Sequence, residues 1–547
     1  MKANTSNHYT EKELAWHYTV FVDPGVDNTL FGPHSRRDSW GPFSRVLGRA
    51  TMMLEDEMNP SRILSLTLTL FTSSILIASL SGCSGVVPSA VSPTPGPLCG
   101  NGFCDNNETS LSCNLDCPEV SFSGQVQTTY LNMEGIGDIA VMVAAPQSVR
   151  YPEGAGVVVV ASPIFSTGVG FMTYPDLTSI GLIQVSYLWP GQADTTTGVK
   201  SGGTFDYGGE QSIQVLRDVI RFASGLIPDK TGRYLSTIIQ VTPLTDEVGL
   251  YAFSDAGIAS VNVLSLYGDV LSGVQYFIGR ENPTVDTLSC LEAGYLDDTG
   301  QPVYNPFYNY PASYSSVAIN LTYTNILWDA AYTDERTGIV GHAFLDLDGS
   351  GTSSINDYVM SWRVPVMFGK RTYSVALTQA LLDNGALSLS NWPADLSNPD
   401  EAARVWQFRQ STGRYVDLRS IMPDLKVMLV FAQQDHLQVA QDKPHIHQAF
   451  QGFRFEGGLW VRLNPDRAYV QSLIPAAGED FPDNPANTQP EDWKKVGIYA
   501  YPVQEGTTTR LVPLAAVAEM ADRTHFGRWD ENLGQVLYIY FPPTAEP

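Results

Sequence analysis

From Val120 onward, continuous apolar runs alternate with segments whose apolar positions follow helical spacing. The run 156–161 (GVVVVA) is typical of a strand that is buried on both faces. The segment Glu210–Ala223 repeats apolar residues every three or four positions, which predicts a helix. Strands are predicted on the same grounds at 126–131, 139–145, 156–161, 182–188, 248–253, 274–278, 427–432 and 460–463. This alternation predicts an α/β protein with a mostly parallel sheet.

The segment 245–260 (TDEVGLYAFSDAGIAS) places Ser254 between a short apolar strand and a helix-like apolar stripe. A sharp turn at this point would strain the serine backbone and expose its Oγ at the carboxyl edge of the sheet. The residues two positions on either side must then be small, and they are Ala252 and Ala256. The alternative is a buried serine that caps an ordinary helix.

This A-x-S-x-A pattern, with Gly257 one place later, resembles the nucleophile elbow of the α/β-hydrolase family, where glycines usually flank the serine. The resemblance implies the α/β-hydrolase fold, with a mostly parallel central sheet, helices on both faces and a large cap insertion. It also implies a serine hydrolase, carboxylesterase-like, that cleaves esters, amides or peptides through an acyl-enzyme on Ser254. No cofactor is expected for catalysis.

The resemblance implies the chain order nucleophile, acid, histidine. Asp435 follows the apolar strand 427–432 and is the expected acid, although an aspartate there could instead cap the next helix. His525, before the C-terminal apolar segment, is the expected base. His445 and His447 lie in a predicted helix and are expected to face solvent.

Two backbone N–H groups would complete the resemblance by stabilising the oxyanion of the tetrahedral intermediate. One is expected from Asp255, directly after the nucleophile. The other is expected from Ile164 or Phe165 in the loop after strand 156–161, because Pro163 has no N–H to donate.

Chain length and composition constrain the number of domains and the class of partner. A chain of 547 residues is long enough for a large core and for two or more domains. Its 57 acidic and 32 basic residues give a formal net charge of −25. Nucleic acids bind to basic surfaces, so this balance argues against a nucleic-acid partner.

The longest apolar run, 63–80, follows a short basic start and ends in L-S-G-C at Cys83. This pattern is typical of an export signal and resembles the lipobox of bacterial-type lipoproteins, which implies lipidation of Cys83 and anchoring to a membrane at the cell surface or in the periplasm. A single transmembrane helix is the alternative. On this reading, 1–57 is an upstream extension that is non-native or disordered, 58–82 the signal peptide and 83–98 a Pro/Ser tether.

Four cysteines lie close together in 99–117, at Cys99, Cys104, Cys113 and Cys117. In an exported chain this density predicts two disulfides in a small knob, and the stretch is similar to CGNGxC modules of secreted microbial proteins. A zinc site is the alternative. Cys290 stands alone and is expected to be a buried apolar residue.

The predicted hydrolase domain spans 118–283 and 425–547, and the predicted cap is the aromatic-rich insertion 284–424. The aromatic residues would either fill the cap's own core or line an acyl pocket above Ser254. Within the cap, one loop matches the spacing of an EF-hand calcium loop, with a solvated acidic turn as the alternative. Its candidate ligands are Asp346, Asp348, Ser350, Thr352, Ser354 and Asp357.

The sequence therefore predicts an exported, lipid-anchored serine hydrolase whose partners are a small ester, amide or peptide substrate and a membrane. Two other classes stay open. One is a cell-surface binding protein that keeps the fold without turnover. The other is a structural surface module held together by calcium and disulfides.

Overall fold

The computed structural model describes residues 124–165, 170–297, 301–308, 319–334, 338–361, 363–431, 438–440, 443–454, 458–473 and 506–529. All of them belong to one compact unit, Ala90–Pro547. The predicted signal, the tether and the cysteine knob lie outside these residues.

An eight-stranded sheet forms the centre of the described unit, in the order β1-β2-β4-β3-β5-β6-β14-β15. The first two strands are antiparallel to their neighbours, and the other six run parallel to one another. Each apolar run predicted to be a strand is one of these eight, so those predictions are confirmed. The strands are β1 (Gln125–Met133), β2 (Gly137–Ala145), β3 (Ala155–Ala161), β4 (Ile183–Tyr187), β5 (Pro243–Phe253), β6 (Val274–Arg280), β14 (Lys426–Val430) and β15 (Trp460–Leu463).

Helices cover both faces of this sheet, because its strands are apolar on both sides. One face packs against α1, α3, α7 and α8, and the other against α9, α10 and a 3-10 turn at Leu177–Ile180. The helix predicted at Glu210–Ala223 is α1, with the predicted bounds. The helices are α1 (Glu210–Ala223), α2 (Leu235–Ile238), α3 (Ala256–Tyr267), α4 (Asp286–Ser289), α5 (Val375–Asp383), α6 (Pro399–Trp406), α7 (Tyr415–Ile421), α8 (Pro444–Arg454), α9 (Arg467–Ser472) and α10 (Gly506–His525).

This strand order, with a sharp strand-turn-helix connection from β5 to α3, is the α/β-hydrolase fold. The fold class predicted from the sequence is confirmed. Because β3, β5, β6 and β14 run parallel, their carboxyl ends meet at one edge of the sheet, where sites in open α/β sheets lie.

A long insertion separates β6 from β14 and has a small core of its own around Ile326, Leu345 and Leu377. Its last helix, α7, packs instead into the main core through Tyr415 and Leu418, so the chain rejoins the hydrolase core before 424. The strands of the insertion are β7 (Gly294–Leu296), β8 (Pro302–Tyr304), β9 (Ile326–Thr333), β10 (Val340–Leu345), β11 (Tyr358–Val359), β12 (Val366–Met367) and β13 (Lys370–Arg371).

One fully buried carboxyl group, Glu292, ties parts of the insertion together. It accepts hydrogen bonds from Ser374 N at 2.9 Å, from Ser374 Oγ at 2.7 Å and from the Tyr323 hydroxyl. Burial raises the pKa of Glu292 to about 8, against the opposing effect of these hydrogen bonds. Cys290, as predicted, is a buried residue nearby, and its thiol donates to Thr372 O at 3.3 Å.

Candidate active site

Ser254 lies at the apex of the turn between β5 and α3, with a backbone φ of +53°. This left-handed conformation is strained for a residue with a Cβ and is what an elbow requires. Ala252 and Ala256 are fully buried on either side, which explains why small residues are needed there. The turn predicted from the sequence is therefore present, and Ser254 is not an ordinary helix cap.

Asn282, just after β6, stabilises the elbow through hydrogen bonds to its backbone. Its amide Nδ2 donates to Ser254 O at 2.7 Å and to Ala252 O at 3.2 Å. Two glycines make room for it: a Cβ at Gly257 would lie 2.1 Å from Asn282 Cγ, and a Cβ at Gly279 would lie 2.2 Å from Asn282 Oδ1. The strained serine is thus held by a buried hydrogen-bonded amide.

A pocket of roughly 60 Å³ opens beside Ser254. It combines apolar walls with a small set of polar groups, which is usual for a small-molecule site. Its lining residues are Phe165, Ser254, Asp255, Glu281, Pro283, Leu288, Ser289, Leu291, Gln438 and His445.

An imidazole and a carboxylate pair in this pocket. His445 Nε2 lies 2.8 Å from Glu281 Oε2, and the two side chains are only 2% and 5% exposed. Glu281 follows β6 directly, and its N–H donates to Val430 O at 2.9 Å. Lys443 Nζ lies 3.9 Å from the other oxygen, Glu281 Oε1. A hydroxyl, an imidazole and a carboxylate therefore line one pocket at the carboxyl edge of the sheet.

The sequence predicted a different histidine for this place, and the structure corrects it. His525 ends α10, and its Nδ1 lies 3.1 Å from both carboxylate oxygens of Glu247, at the amino end of the apolar part of β5. Its ring stacks on Tyr151 at 3.8 Å. Glu247 and Ser254 are seven positions apart in extended chain, which corresponds to about 23 Å. The structure does not bring His525 to Ser254, because α10 delivers it to the opposite edge.

The prediction that His445 and His447 face solvent is also wrong, since both are only 2% exposed. Helix α8 packs between the sheet and α7, and Ile446, Ala449 and Phe450 share its buried surface. One signal in the sequence could have indicated the missed pair. Glu281 is a carboxylate directly after an apolar strand, the same pattern that was read at Asp435. Asp435 itself lies outside the described residues.

Both alternatives for the loop donor of the oxyanion hole, the N–H groups of Ile164 and Phe165, are engaged by a side chain. Ile164 N donates to Asp255 Oδ1 at 2.9 Å, and Phe165 N donates to Asp255 Oδ2 at 3.1 Å. Burial raises the pKa of Asp255 to about 6, and the hydrogen bonds from Ile164 and Phe165 oppose that rise. Asp255 thus brings a carboxylate, and not only a backbone N–H, to the site.

The predicted calcium loop brings carboxylates together between β10 and β11 of the insertion. Oxygen atoms of Asp346, Asp348 and Asp357 lie within 4.8 Å of one another. Ser354 Oγ donates to Asp348 Oδ2 at 3.2 Å. Hydrogen bonds, led by the Ser350 side chain, lower the pKa of Asp348 to about 2. These residues could hold a cation through oxygen ligands.

None of the described helices is both long enough and apolar enough to cross a membrane. The apolar run 63–80, Cys83, and the four clustered cysteines Cys99, Cys104, Cys113 and Cys117 lie outside the described residues.

No protein-family model matches the sequence, and no curated protein matches it. Similar solved structures include esterases of the fungus Rhizomucor miehei, with 11% identity, 62% of this chain and 74% of that chain covered, and a TM-score of 0.31. The α/β hydrolase GrgF of Penicillium sp. sh18 has 11% identity over 62% of this chain and 90% of that chain, with a TM-score of 0.30.

An esterase of Pyrobaculum calidifontis has 15% identity over 31% of this chain, with a TM-score of 0.21, and the matched part spans 50% of that esterase. The fold assignment rests on the strand order and the elbow of this chain.

Proposed function

We propose that this chain is a serine hydrolase that cleaves carboxylic esters, or amides and peptides, with Ser254 as nucleophile. His445 would be the general base, and Glu281 the acid that orients it. The observation that carries this proposal is the 2.8 Å contact between His445 and Glu281 in the pocket that Ser254 lines. This set keeps the chain order serine, acid, histidine, with the acid after β6 in place of Asp435.

The chemistry follows from the residue types. A serine hydroxyl is a weak nucleophile near pH 7, so a neighbouring imidazole must accept its proton as Oγ attacks the carbonyl carbon. Glu281 would hold the required tautomer of His445 and stabilise the imidazolium that forms. The imidazolium would then protonate the leaving alcohol or amine, and water would hydrolyse the acyl-enzyme by the same steps in reverse.

A fluorophosphonate probe tests the nucleophile, since it phosphonylates only an activated serine. We expect labelling of the wild-type protein and none of Ser254→Ala. Ser260→Ala is the matched control, because Ser260 is buried on α3, the helix that follows Ser254, and its Oγ donates to Ala256 O at 2.9 Å. Equal labelling of all three proteins, or none, would favour a non-catalytic binding protein on this scaffold.

We also propose export and lipid anchoring through Cys83, supported by the L-S-G-C pattern. Expression in a bacterial host with radiolabelled palmitate should label the wild-type protein. Cys83→Ser should lose the label, whereas Cys290→Ser, which removes a buried thiol, should keep it.

The loop 346–357 would bind calcium and stabilise the insertion. The spacing of its oxygen-bearing residues and the convergence of three of its carboxylates support this. A saturating excess of about 100 times the dissociation constant stabilises a folded protein by about 2.7 kcal/mol. Calcium should therefore raise the melting temperature in a chelator-reversible way, and the Asp346→Asn/Asp357→Asn variant should lose that rise. Asp383→Asn, an exposed change on α5, is the control. An equal response of all variants would contradict the site.

A further inference from the structure

The carboxylate of Asp255 occupies the place where the elbow meets the loop after β3. It accepts the N–H of Ile164 at 2.9 Å and the N–H of Phe165 at 3.1 Å, one on each oxygen. Asp255 is 8% exposed and lines the pocket together with Ser254. A carboxylate held by two backbone N–H groups carries the same charge as the oxyanion of an acyl-transfer intermediate, and this one engages both candidate loop donors for that oxyanion.

Two effects of this arrangement oppose acyl transfer. First, both loop donors are already engaged by a charged acceptor, and charge-assisted hydrogen bonds are about twice as strong as neutral ones. A substrate oxygen must displace the Asp255 carboxylate from these two donors. Second, a negative charge beside the developing oxyanion raises the energy of the transition state in a site shielded from water.

We infer that Asp255 controls acyl transfer at Ser254 through its charge: as a carboxylate it withholds the Ile164 and Phe165 N–H groups, and when neutral it releases them to the substrate oxygen. This inference rests on the proposed function. It makes Asp255 a rate-controlling residue and not only a supplier of one backbone N–H.

The step balances without an added reactant. Ser254 Oγ forms a bond to the carbonyl carbon, its proton passes to His445, and the carbonyl π electrons move to the oxygen. The hydrogen bonds from Ile164 and Phe165 transfer from Asp255 to that oxygen. Collapse of the intermediate returns the electron pair, expels the leaving group with the proton from His445, and restores the resting contacts.

Burial raises the pKa of Asp255 to about 6, so the release occurs as the pH falls through that value. Among the described residues that line the pocket, the other charged or titratable groups are Glu281, directly after β6, and His445, on α8. Lys443 lies behind Glu281, at 3.9 Å. A general base must be unprotonated to act, so acid also lowers the rate by that route, and the two effects must be measured separately.

Amide spectra separate them without catalysis. In the full-length protein labelled with ¹⁵N-isoleucine and ¹⁵N-phenylalanine, the Ile164 and Phe165 resonances should shift together with a midpoint near pH 6. In Asp255→Asn this shift should disappear, because the amide does not titrate. Amide resonances that do not move in the wild-type protein, or that move equally in the variant, would overturn the inference.

Rate measurements provide the second readout. Asn keeps the shape and a single acceptor oxygen, so it releases at least one N–H and removes the charge. Since one oxyanion donor is worth about 10²–10³-fold in rate, Asp255→Asn should raise kcat/KM for p-nitrophenyl acetate at pH 8 by at least about tenfold. Asp255→Ser should show the same direction if the Asn variant melts early, and Asp269→Asn, an exposed change after α3, should not change the rate.

A folded Asp255→Asn protein with an equal or lower kcat/KM would overturn the inference. No turnover by either protein, together with no fluorophosphonate labelling of Ser254, would overturn the proposed function and this inference with it. Turnover that depends on Ser254 but does not increase in the variant would remove the inference alone.

Discussion

Two histidine–carboxylate pairs lie at opposite edges of the same sheet. At the carboxyl edge, His445 and Glu281 are 2.8 Å apart with side chains 2% and 5% exposed. At the amino edge, His525 and Glu247 are 3.1 Å apart with side chains 13% and 21% exposed. By contact geometry alone, either pair could be part of a catalytic triad.

The surroundings of the imidazoles distinguish the two pairs. His525 has carboxylates near both ring nitrogens, Glu247 at Nδ1 and Glu153 3.4 Å from Nε2, and its ring is stacked on Tyr151. His445 shares its pocket with the strained Ser254. A histidine becomes a base only where a nucleophile can reach one of its nitrogens, so the proposed function predicts catalysis at the carboxyl edge and packing at the amino edge.

Replacement of each histidine by glutamine should give the largest difference in activity between the two pairs. Loss of one triad member typically lowers kcat by 10⁴-fold or more, so we expect His445→Gln to lower kcat/KM for a p-nitrophenyl ester by at least about 10³-fold. His525→Gln should stay within about twofold. Activity that survives in His445→Gln but not in a folded His525→Gln protein would reverse the assignment.

The carboxylates should repeat the pattern with a smaller effect. Glu281→Gln keeps the shape of the side chain but removes the charge that orients His445 and stabilises its imidazolium. We expect a loss of about 10²–10⁴-fold in kcat/KM, as for other triad acids, with thermal melting as a check on folding. Glu247→Gln is the matched control at the amino edge and should leave kcat/KM unchanged.

Asp435→Asn tests the acid that the sequence indicated. If Glu281 is the acid, this variant should keep at least half of the wild-type kcat/KM. A large loss in Asp435→Asn together with a small loss in Glu281→Gln would restore the original assignment.

The sequence predicted the sheet and the turn at Ser254 because their signals are local. A strand buried on both faces must be a continuous apolar run, as in β3, and an elbow needs small residues at fixed distances from Ser254. Both properties belong to a few neighbouring residues, and the structure has the strands and the turn where they were predicted.

The histidine that lies near Ser254 could not be predicted from local sequence in the same way. Whether His445 or His525 reaches Ser254 depends on the direction in which α8 and α10 cross the sheet, which the local sequence does not encode. The acid was ambiguous for a related reason. Glu281 and Asp435 both follow apolar strands, and only the path of α8 shows that the imidazole meets Glu281. The engagement of the loop N–H groups by Asp255 is likewise a contact between residues far apart in sequence.

The smallest effect is expected at the amino edge, where the charged groups contribute stability without chemistry. Arg150 donates to both oxygens of Asp522, at 2.6 and 2.7 Å, and the Tyr151 hydroxyl donates to the same carboxylate at 3.0 Å. This network joins α10 to the chain just before β3. The side chains of Arg150 and Asp522 are 22% and 18% exposed, which weakens their ion pair through solvent screening.

Asp522→Asn should therefore lower the free energy of unfolding by about 1–2 kcal/mol, the range for a hydrogen bond to a charged group after allowance for screening. Urea unfolding followed by tryptophan fluorescence measures this change. The kcat/KM of the folded variant should equal that of the wild type, because the network lies at the amino edge of the sheet and Ser254 lies at its carboxyl edge. A loss of activity without a loss of stability would show that the two edges are coupled, and the division between catalysis and packing would then fail.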